Sequence, residues 1–412
     1  MDKLVIDGGK PLRKKPFPQR IMFDEKEVKL INEMMKKATK ENTAKYLDRY
    51  AGSEVDTYEK EFAEFFGTKY ATATSSGTAA IHSAIASLDL EPGDKIITTP
   101  ITDPGTVMPI LFQGLIPVFA DVDFETLNLT AKTIEEKIDK KTKAVIVVHL
   151  AGVPCEMDKI IEVARKYNLK IIEDCAQSHA SIYKNKYVGT FGDMGCFSLM
   201  SGKHMTSGGQ GGMVITDNEE YYWRCKRFAD RGKPFGIENP EGNVSLGLNY
   251  RMTEIEAAIG RVQLKKLKKI AEKRFKIVEE LRKGFSNLKG FSLWKKPENS
   301  KPNYWFCFIR VEEEKFKYDK WKLAEILIKE GLPAGAHYVI QIYENPFIKA
   351  RKTFGSSGYP WKPYSPNIEY KCPIAEKALN SHITLYIHEC WGKKEIEDTI
   401  KIFEKVERFC LK

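Results

Sequence analysis

The sequence predicts an α/β protein with a large domain, built on a mainly parallel sheet covered by helices, and a smaller C-terminal α+β domain. Short runs of apolar and β-branched residues recur between residues 70 and 216, and helical patterns separate several of them. Most of these runs are apolar at nearly every position, which is typical of strands buried on both faces of a parallel sheet. After residue 249 the pattern changes to a long amphipathic helix followed by mixed elements.

The predicted elements of the large domain alternate along the chain. Helical patterns near residues 24–38 and at 54–66 come first, and later ones begin at Gly77 and cover 157–166. Seven strands are predicted, at residues 70–74, 95–99, 117–120, 144–150, 170–174, 194–199 and 213–216. In such sheets a ligand lies beyond the carboxyl ends of the strands, so that edge is where we expect the functional residues.

The predicted large domain covers residues 1–250, and the smaller domain covers residues 251–412. The second part begins with a long helix at about 253–285 and continues with a strand-like alternation at 305–311. Further helices are predicted at about 320–330 and 393–409.

Composition and charge exclude some classes of function. Apolar residues make up 42% and charged residues 30%, which is ordinary for a soluble enzyme. The net charge of +10 is scattered, and its densest run, at residues 265–269, lies in a helical pattern where a solvated helix face explains it. We therefore expect no nucleic-acid partner, although the positive balance suits small anionic substrates.

The eight cysteines predict neither a disulfide framework nor a zinc site. They lack a C-x-x-C motif and regular spacing, and many lie among apolar residues. No apolar run reaches the ~18 residues that a membrane-spanning helix needs. We therefore expect reduced thiols, no metal, no membrane segment and a cytoplasmic location.

A first candidate site is the segment Ser75-Ser76-Gly77-Thr78-Ala79, which follows a predicted strand and opens a helix. Small residues let backbone N–H groups approach an anion, and a helix N-terminus favours negative charge. An ordinary helix N-cap explains the same residues.

A second candidate is Asp174, which closes an apolar strand in Ile171-Ile172-Glu173-Asp174. A buried carboxylate is costly unless it meets a positive group, and a protonated ring nitrogen would be one. A helix cap or a structural salt bridge are the alternatives.

A third candidate is Lys203, in a segment with little other charge that precedes a glycine-rich turn. A lysine among small residues can lose its proton and act as a Schiff-base amine, although most lysines are solvated surface charges. The segment Asn249-Tyr250-Arg251 opens the long helix, where it could bind phosphate or carboxylate or cap the helix.

Together these features match the needs of pyridoxal phosphate (PLP). This cofactor requires an anion cradle for its phosphate, an acidic partner for its pyridinium nitrogen and a lysine for its aldehyde. The order and spacing of the three candidates are more specific than any one of them.

The chain resembles the DegT/StrS-type sugar aminotransferases, a branch of the fold-type I PLP enzymes with a seven-stranded sheet. The resemblance covers nearly the whole chain. Its strongest stretches are Pro117-Val118-Phe119-Ala120-Asp121, Val148-His149-Leu150-Ala151-Gly152, Glu173-Asp174-Cys175-Ala176-Gln177, Gly189-Thr190-Phe191-Gly192-Asp193, the segment 197–212 and Asn249-Tyr250-Arg251-Met252.

The resemblance implies a role for each matching residue. Lys203 would attach the cofactor and move protons, Asp174 would hold the pyridine nitrogen protonated, and Gln177 would lie beside the ring hydroxyl. The phosphate would be bound by Gly77, Thr78, Ala79 and Ser198, and by Asn249 from a second subunit. A homodimer with a shared active site is therefore part of the expectation.

The substrate side of the resemblance is less regular. His337 and Tyr338 match a family segment near the substrate. Asp103 stands where many relatives place an aromatic ring against PLP, so the stacking group comes from elsewhere or the loop aligns with an offset. His204 directly follows the lysine, and Gln210 replaces a glutamate of the family's Gly-Glu-Gly-Gly. We include Asp103 and His204 with the candidate substrate residues.

The implied activity is transfer of an amino group from glutamate or glutamine to a keto-sugar, nucleotide-linked or free, or to a keto-cyclitol, by ping-pong chemistry. A PLP-dependent sugar dehydratase on the same fold is an alternative, but such relatives replace the lysine with histidine. A non-catalytic PLP-binding regulator is another, although binding alone needs no proton shuttle.

Overall fold

The computed structural model describes residues 3–49 and 52–412; residues 1, 2, 50 and 51, which fall within the predicted 1–250 domain, lie outside the description. The helices are α1 (Glu25–Lys40), α2 (Glu54–Phe66), α3 (Gly77–Ser87), α4 (Pro104–Phe112), α5 (Ala131–Glu135), α6 (Met157–Lys166), α7 (Glu219–Ala229), α8 (Glu254–Phe285), α9 (Lys320–Lys329), α10 (Pro346–Lys349), α11 (Trp361–Tyr364), α12 (Pro373–Asn380) and α13 (Lys393–Cys410). The strands are β1 (Tyr70–Thr74), β2 (Lys95–Thr98), β3 (Ile116–Phe119), β4 (Thr142–Val148), β5 (Lys170–Asp174), β6 (Ile182–Tyr183), β7 (Lys186–Tyr187), β8 (Met194–Ser198), β9 (Gly212–Thr216), β10 (Phe291–Leu293), β11 (Ser300–Lys301), β12 (Cys307–Val311), β13 (Ala334–Gly335) and β14 (His382–Leu385).

The large sheet has seven strands in the order β1-β9-β8-β5-β4-β2-β3. The pairs β8–β5, β5–β4, β4–β2 and β2–β3 are parallel, and β9 runs antiparallel to both of its neighbours. The predicted α/β class with a mainly parallel seven-stranded sheet is confirmed.

Both faces of this sheet are buried, as the apolar strands predict. Ile171 packs in a cluster with α2, α6 and α8, whereas its neighbour Ile172 packs in a second cluster with α3 and α7. In the same way, Ile97 belongs to the first cluster and its neighbour Ile96 to the second. Successive side chains of a strand point to opposite faces, so a strand covered on both sides must be apolar throughout.

Strand direction brings the candidate residues to one edge of the sheet. Because β9 is antiparallel to both β1 and β8, β1 runs in the same direction as β5 and β8. The ends of these three strands, at Thr74, Asp174 and Ser198, therefore lie at the same edge.

The C-terminal part contains a four-stranded antiparallel sheet in the order β10-β12-β14-β13. Helix α8 connects it to the large sheet. Leu264 and Leu267 of α8 belong to a core cluster of the large sheet. Val278 and Leu281 belong to a cluster that contains the smaller sheet and also residues of α4 and β3. The division between residues 250 and 251 stays a prediction. Within the described residues, no helix combines the length and apolarity needed to cross a membrane.

Candidate active site

Lys203 lies in the loop after β8 and is 8% exposed. Its peptide N–H donates to Met200 O at 2.9 Å, and its carbonyl accepts from Arg20 Nη1 at 2.6 Å, so the backbone is held at both ends. The amine lies 3.7 Å from the centroid of the Trp305 ring. Burial lowers the pKa of Lys203 to about 8, against the opposite effect of Asp174 and Asp103.

Asp174 ends β5 and is almost fully buried. Its Oδ2 accepts from Thr106 Oγ1 at 2.8 Å and its Oδ1 from the amide of Ala176 at 3.0 Å. Burial raises the pKa of Asp174, while these hydrogen bonds and the nearby Lys203 act to lower it. A carboxylate in this position gains from a cation placed against it, and a protonated pyridine nitrogen provides one.

The turn between β1 and α3 lies directly against Ser198. A Cβ added to Gly77 would lie 2.7 Å from Ser198 Cβ and 3.1 Å from its Oγ, so only glycine fits here. Gly77 and Thr78 are the first residues of α3, and their amides have no acceptor among the described residues. Two free amides at a helix N-terminus beside a serine hydroxyl form an anion cradle.

The N-cap alternative also applies in this turn. Ser76 Oγ accepts from the amide of Ala79 at 3.0 Å, so Ser76 caps α3. The Ala79 amide is therefore already bonded, which leaves the amides of Gly77 and Thr78 for an anion. Gly212 fits the same turn, since a Cβ there would lie 2.1 Å from the Ser76 carbonyl oxygen.

Gln177 connects the large sheet to the smaller domain. Its Oε1 accepts from the amide of Ala151 at 2.7 Å, and its Nε2 donates to Tyr338 Oη at 2.9 Å. Burial raises the pKa of Tyr338, with Asp103 and Asp174 acting in the same direction. Tyr338 therefore lies with Gln177 in the group around Lys203.

The other predicted substrate residues are placed differently. Asp103 is exposed and caps α4, with Oδ1 accepting from the Gly105 amide at 2.8 Å. The His337 ring stacks on Trp321, with centroids 5.9 Å apart, and makes no hydrogen bond to Lys203, Asp174 or Gln177 within the described chain. The structure brings Tyr338 to the site and turns His337 toward α9.

His204 lies in the core. It is fully buried, its ring centroid is 5.6 Å from that of His179, and burial lowers its pKa well below the usual value. The substrate contact predicted for His204 is not supported by this geometry, since a fully buried ring offers no surface to a substrate. Asn249 is exposed and bridges to Asp230. The carbonyl of its neighbour Tyr250 accepts from the Ser75 amide at 2.7 Å, and among the described residues Asn249 makes no hydrogen bond to Gly77 or Ser198.

A possible metal cluster is already internally bonded. His149, Glu173 and Cys175 lie close together, but His149 Nε2 bonds Glu173 Oε2 at 2.9 Å and His149 Nδ1 accepts from the Cys155 amide. The oxygens of Glu173 also accept from three backbone amides, those of Gly189, Phe191 and Gly192. The bonds to Glu173 anchor the segment between β7 and β8 beside the end of β5.

Sequence reasoning missed Thr106, Trp305 and Arg20. Thr106 is four residues after Thr102, whose hydroxyl it meets at 2.7 Å, but nothing in the sequence connects it to Asp174. Trp305 and Arg20 come from distant parts of the chain, and only the tertiary fold brings them to Lys203.

The residues present fit PLP. The Gly77–Ser198 cradle suits a phosphate, the buried Asp174 suits a ring cation, and the desolvated amine of Lys203 suits an aldehyde.

Comparison with known proteins agrees with this geometry. The model of the DegT/DnrJ/EryC1/StrS aminotransferase family matches residues 28–404. The chain is 38% identical over 266 residues to GDP-perosamine synthase from Escherichia coli O157:H7, covering 64% of this chain and 72% of that protein. It is 31% identical to a putative L-glutamine:3-amino-2,3-dideoxy-scyllo-inosose aminotransferase from Micromonospora echinospora, covering 98% of this chain and 96% of the relative.

A solved structure agrees as well. The aminotransferase from Psychrobacter cryohalolentis superimposes with a TM-score of 0.84 at 29% identity, covering 94% of this chain and 98% of that one. The chain is therefore a PLP-dependent enzyme that belongs to the DegT/DnrJ/EryC1/StrS aminotransferase family.

Proposed function

We propose that this enzyme transfers an amino group from glutamate or glutamine to a keto-sugar or keto-cyclitol, in two successive half-reactions that share one site. The observation that carries the proposal is the placement of a desolvated lysine and a buried carboxylate beside an anion cradle, at one edge of the sheet. The two relatives named above act on a sugar and on a cyclitol, which supports both substrate classes.

Each residue has a proposed role in the site. Gly77, Thr78 and Ser198 hold the phosphate, Asp174 pairs with the ring nitrogen, and Gln177 lies beside the ring hydroxyl. When bound, PLP supplies an electron-accepting ring that stabilises negative charge on the substrate carbon.

Lys203 first binds the cofactor and then moves protons through its Nζ atom. A lysine at its ordinary pKa, about 10.4, is almost entirely protonated at neutral pH and cannot accept a proton. A pKa near 8 leaves a usable fraction of Lys203 as the free amine.

A second subunit completes the proposed site. Asn249 is exposed, and among the described residues no hydrogen bond joins it to Gly77, Thr78 or Ser198, so we infer that it serves the cradle of a partner copy. Apolar side chains near it are exposed, with Leu246 91% accessible and Val244 and Leu248 about half accessible. An exposed apolar patch beside a functional residue favours a homodimer interface here.

The eight free cysteines support a reducing, cytoplasmic setting.

The dehydratase and regulator alternatives receive less support. The attachment position holds Lys203, and the neighbouring His204 is fully buried beside His179. A regulator needs no desolvated proton-accepting lysine.

The test is the visible absorbance of the purified protein before and after addition of glutamate or glutamine. We expect the band of the lysine-bound cofactor to disappear with a donor and to return with a keto-sugar or keto-inositol acceptor. Borohydride trapping followed by peptide mass spectrometry should place the cofactor on Lys203, and Lys203→Ala should lose both attachment and turnover. Attachment at another lysine, or a band that no amino acid changes, would contradict the proposal; ammonia release from a sugar would favour the dehydratase.

A further inference from the structure

Lys203 Nζ contacts an aromatic ring instead of a carboxylate. It lies 3.7 Å from the centroid of Trp305. Among the described residues, Nζ donates no hydrogen bond and has no carboxylate within 4.0 Å. A buried ammonium without an ion-pair partner is costly, and the face of an indole ring offsets part of that cost.

Trp305 is fixed by three hydrogen bonds. Its indole Nε1 donates to Gly202 O at 2.9 Å, next to Lys203, and its amide donates to Ala151 O at 2.8 Å. Its carbonyl accepts from Arg274 Nη1 at 3.1 Å. The ring is therefore held by Gly202, and the backbone of Trp305 by Ala151 and by Arg274 of α8.

One buried ion cluster joins the tryptophan to the lysine. Arg274 Nε donates to Glu389 Oε2 at 2.8 Å, and Arg20 Nε donates to Glu389 Oε1 at 2.7 Å. Arg20 in turn donates to the carbonyl of Lys203 at 2.6 Å. A continuous path of hydrogen bonds thus runs from the backbone of Trp305 to that of Lys203.

We propose that Trp305 is a positioning residue whose ring face holds the Lys203 ammonium whenever the lysine is not joined to the cofactor. This inference rests on the proposed role of Lys203 as the attachment residue. The ring keeps the released amine in position beside the site. The Arg20–Glu389–Arg274 cluster fixes the backbone of Trp305 relative to that of Lys203.

The Trp305 ring and burial shift the pKa of Lys203 in opposite directions. Burial favours the neutral amine, whereas a π face favours the ammonium and so raises the pKa. The other titratable or charged groups around this amine are Asp174 at the end of β5, Asp103 at the start of α4, and His179, His204 and Arg20 on the surrounding segments. These groups are unchanged by a substitution at Trp305.

The experiment measures the pKa of Lys203 in the cofactor-free protein by competitive labelling with an acyl anhydride, read from the Lys203 peptide by mass spectrometry. We expect Trp305→Leu to lower this pKa by about one pH unit, because the π face is lost. Trp305→Phe keeps a ring and should stay within about half a pH unit of the wild type. Trp321→Leu, which removes a half-exposed tryptophan on α9, is the matched control and should change nothing.

The direction of the shift distinguishes the possible roles. An unchanged pKa in Trp305→Leu would overturn the proposal. A raised pKa would overturn it too, since it would mean that the ring only excludes water.

A second measurement does not depend on the stability of Trp305→Leu. The indole ¹H–¹⁵N resonance of Trp305, assigned by its loss in Trp305→Phe, should titrate with the pKa of Lys203 and should not titrate in Lys203→Met. A Trp305 resonance whose chemical shift does not change as Lys203 titrates would refute the contact between the ring and Nζ. Trapping the cofactor on another lysine would refute the attachment role of Lys203 in the proposed function, whereas the contact between Nζ and the ring is tested separately because the pKa experiment is made without cofactor.

Discussion

The buried carboxylate of Asp174 needs a cation beside it to stay ionised. Both carboxylate oxygens already accept hydrogen bonds, from Thr106 and Ala176, yet burial still raises the pKa of this group. The hydrogen bonds are therefore too weak to compensate fully for desolvation, and a cation against the carboxylate is needed to keep it ionised.

Replacement of this carboxylate tests that requirement. Asp174→Asn should lower turnover by roughly 100-fold or more, because the amide cannot stabilise a protonated ring nitrogen. Thr106→Val is the control, since it removes one hydrogen bond but keeps the charge, and it should cost about tenfold or less. Steady-state rates and the absorbance of the bound cofactor measure both effects. Equal losses in the two variants would count against an electrostatic role for Asp174.

The pH dependence of cofactor capture follows from Lys203. With a pKa near 8, the free-amine fraction should rise about tenfold between pH 7 and a plateau above pH 9. The rate at which PLP added to cofactor-free protein develops visible absorbance measures this, and Lys203→Ala supplies the background. A midpoint near pH 10, as for a solvated lysine, would contradict the burial effect.

The same pKa has a consequence for stability. The unfolded chain keeps this proton up to about pH 10, whereas the folded protein releases it near pH 8. Between these values the unfolded state binds more protons, so the contribution of Lys203 to the stability of the fold rises with pH.

At the scale of the element, the turn between β1 and α3 and the end of β8 depend on each other. The absence of a side chain at Gly77 lets the first turn of α3 approach Ser198, and the absence of one at Gly212 lets β9 approach the Ser76 carbonyl. The cradle therefore exists because two neighbouring strand ends come closer than a Cβ allows.

Gly77→Ala should weaken cofactor binding and destabilise the protein by about 1–3 kcal/mol, because the new methyl group overlaps Ser198. Gly209→Ala, in the exposed glycine-rich turn, is a matched control because a Cβ there meets nothing within 4 Å. Equilibrium dialysis of PLP and thermal unfolding of the cofactor-free protein separate the two effects. Normal PLP affinity in Gly77→Ala would mean that the phosphate lies elsewhere.

At the scale of the whole molecule, α8 connects the two sheets and the proposed dimer completes the site. The first half of α8 packs on the large sheet, and the second half packs in a cluster that includes the smaller one. Together with the bonds from Trp305 to Gly202 and from Gln177 to Tyr338, this helix holds Trp305 and Tyr338 near Lys203. The segment before α8 leaves Leu246 and Asn249 exposed.

Leu246→Asp should shift the protein toward monomer and reduce PLP affinity, since a charge at a buried apolar contact is costly. Ile328→Asp changes an exposed apolar residue on α9 and should do neither. Sedimentation velocity and PLP titration are the measurements. A protein that is monomeric without substitution and still binds PLP tightly would exclude the shared site.

The sequence by itself determined the seven strands of the large sheet, several of its helices and the main residues proposed for the candidate site, but it did not predict α4, α5 or α7. Apolar runs define buried strands directly, so residues 70–74 and 170–174 were predicted with the bounds of β1 and β5. Asp174 and Gly77 could be found from their places at strand ends, and Lys203 from the low charge of its segment before a glycine-rich turn. Only the tertiary structure decided which side chains meet there. From the sequence, His204, His337 and Tyr338 are equally good candidates for substrate contact. In the structure His204 is buried, His337 stacks on Trp321, and Tyr338 bonds Gln177. Contacts such as those of Trp305 and Arg20 with Lys203 depend on how distant segments pack, and local periodicity carries no information about that.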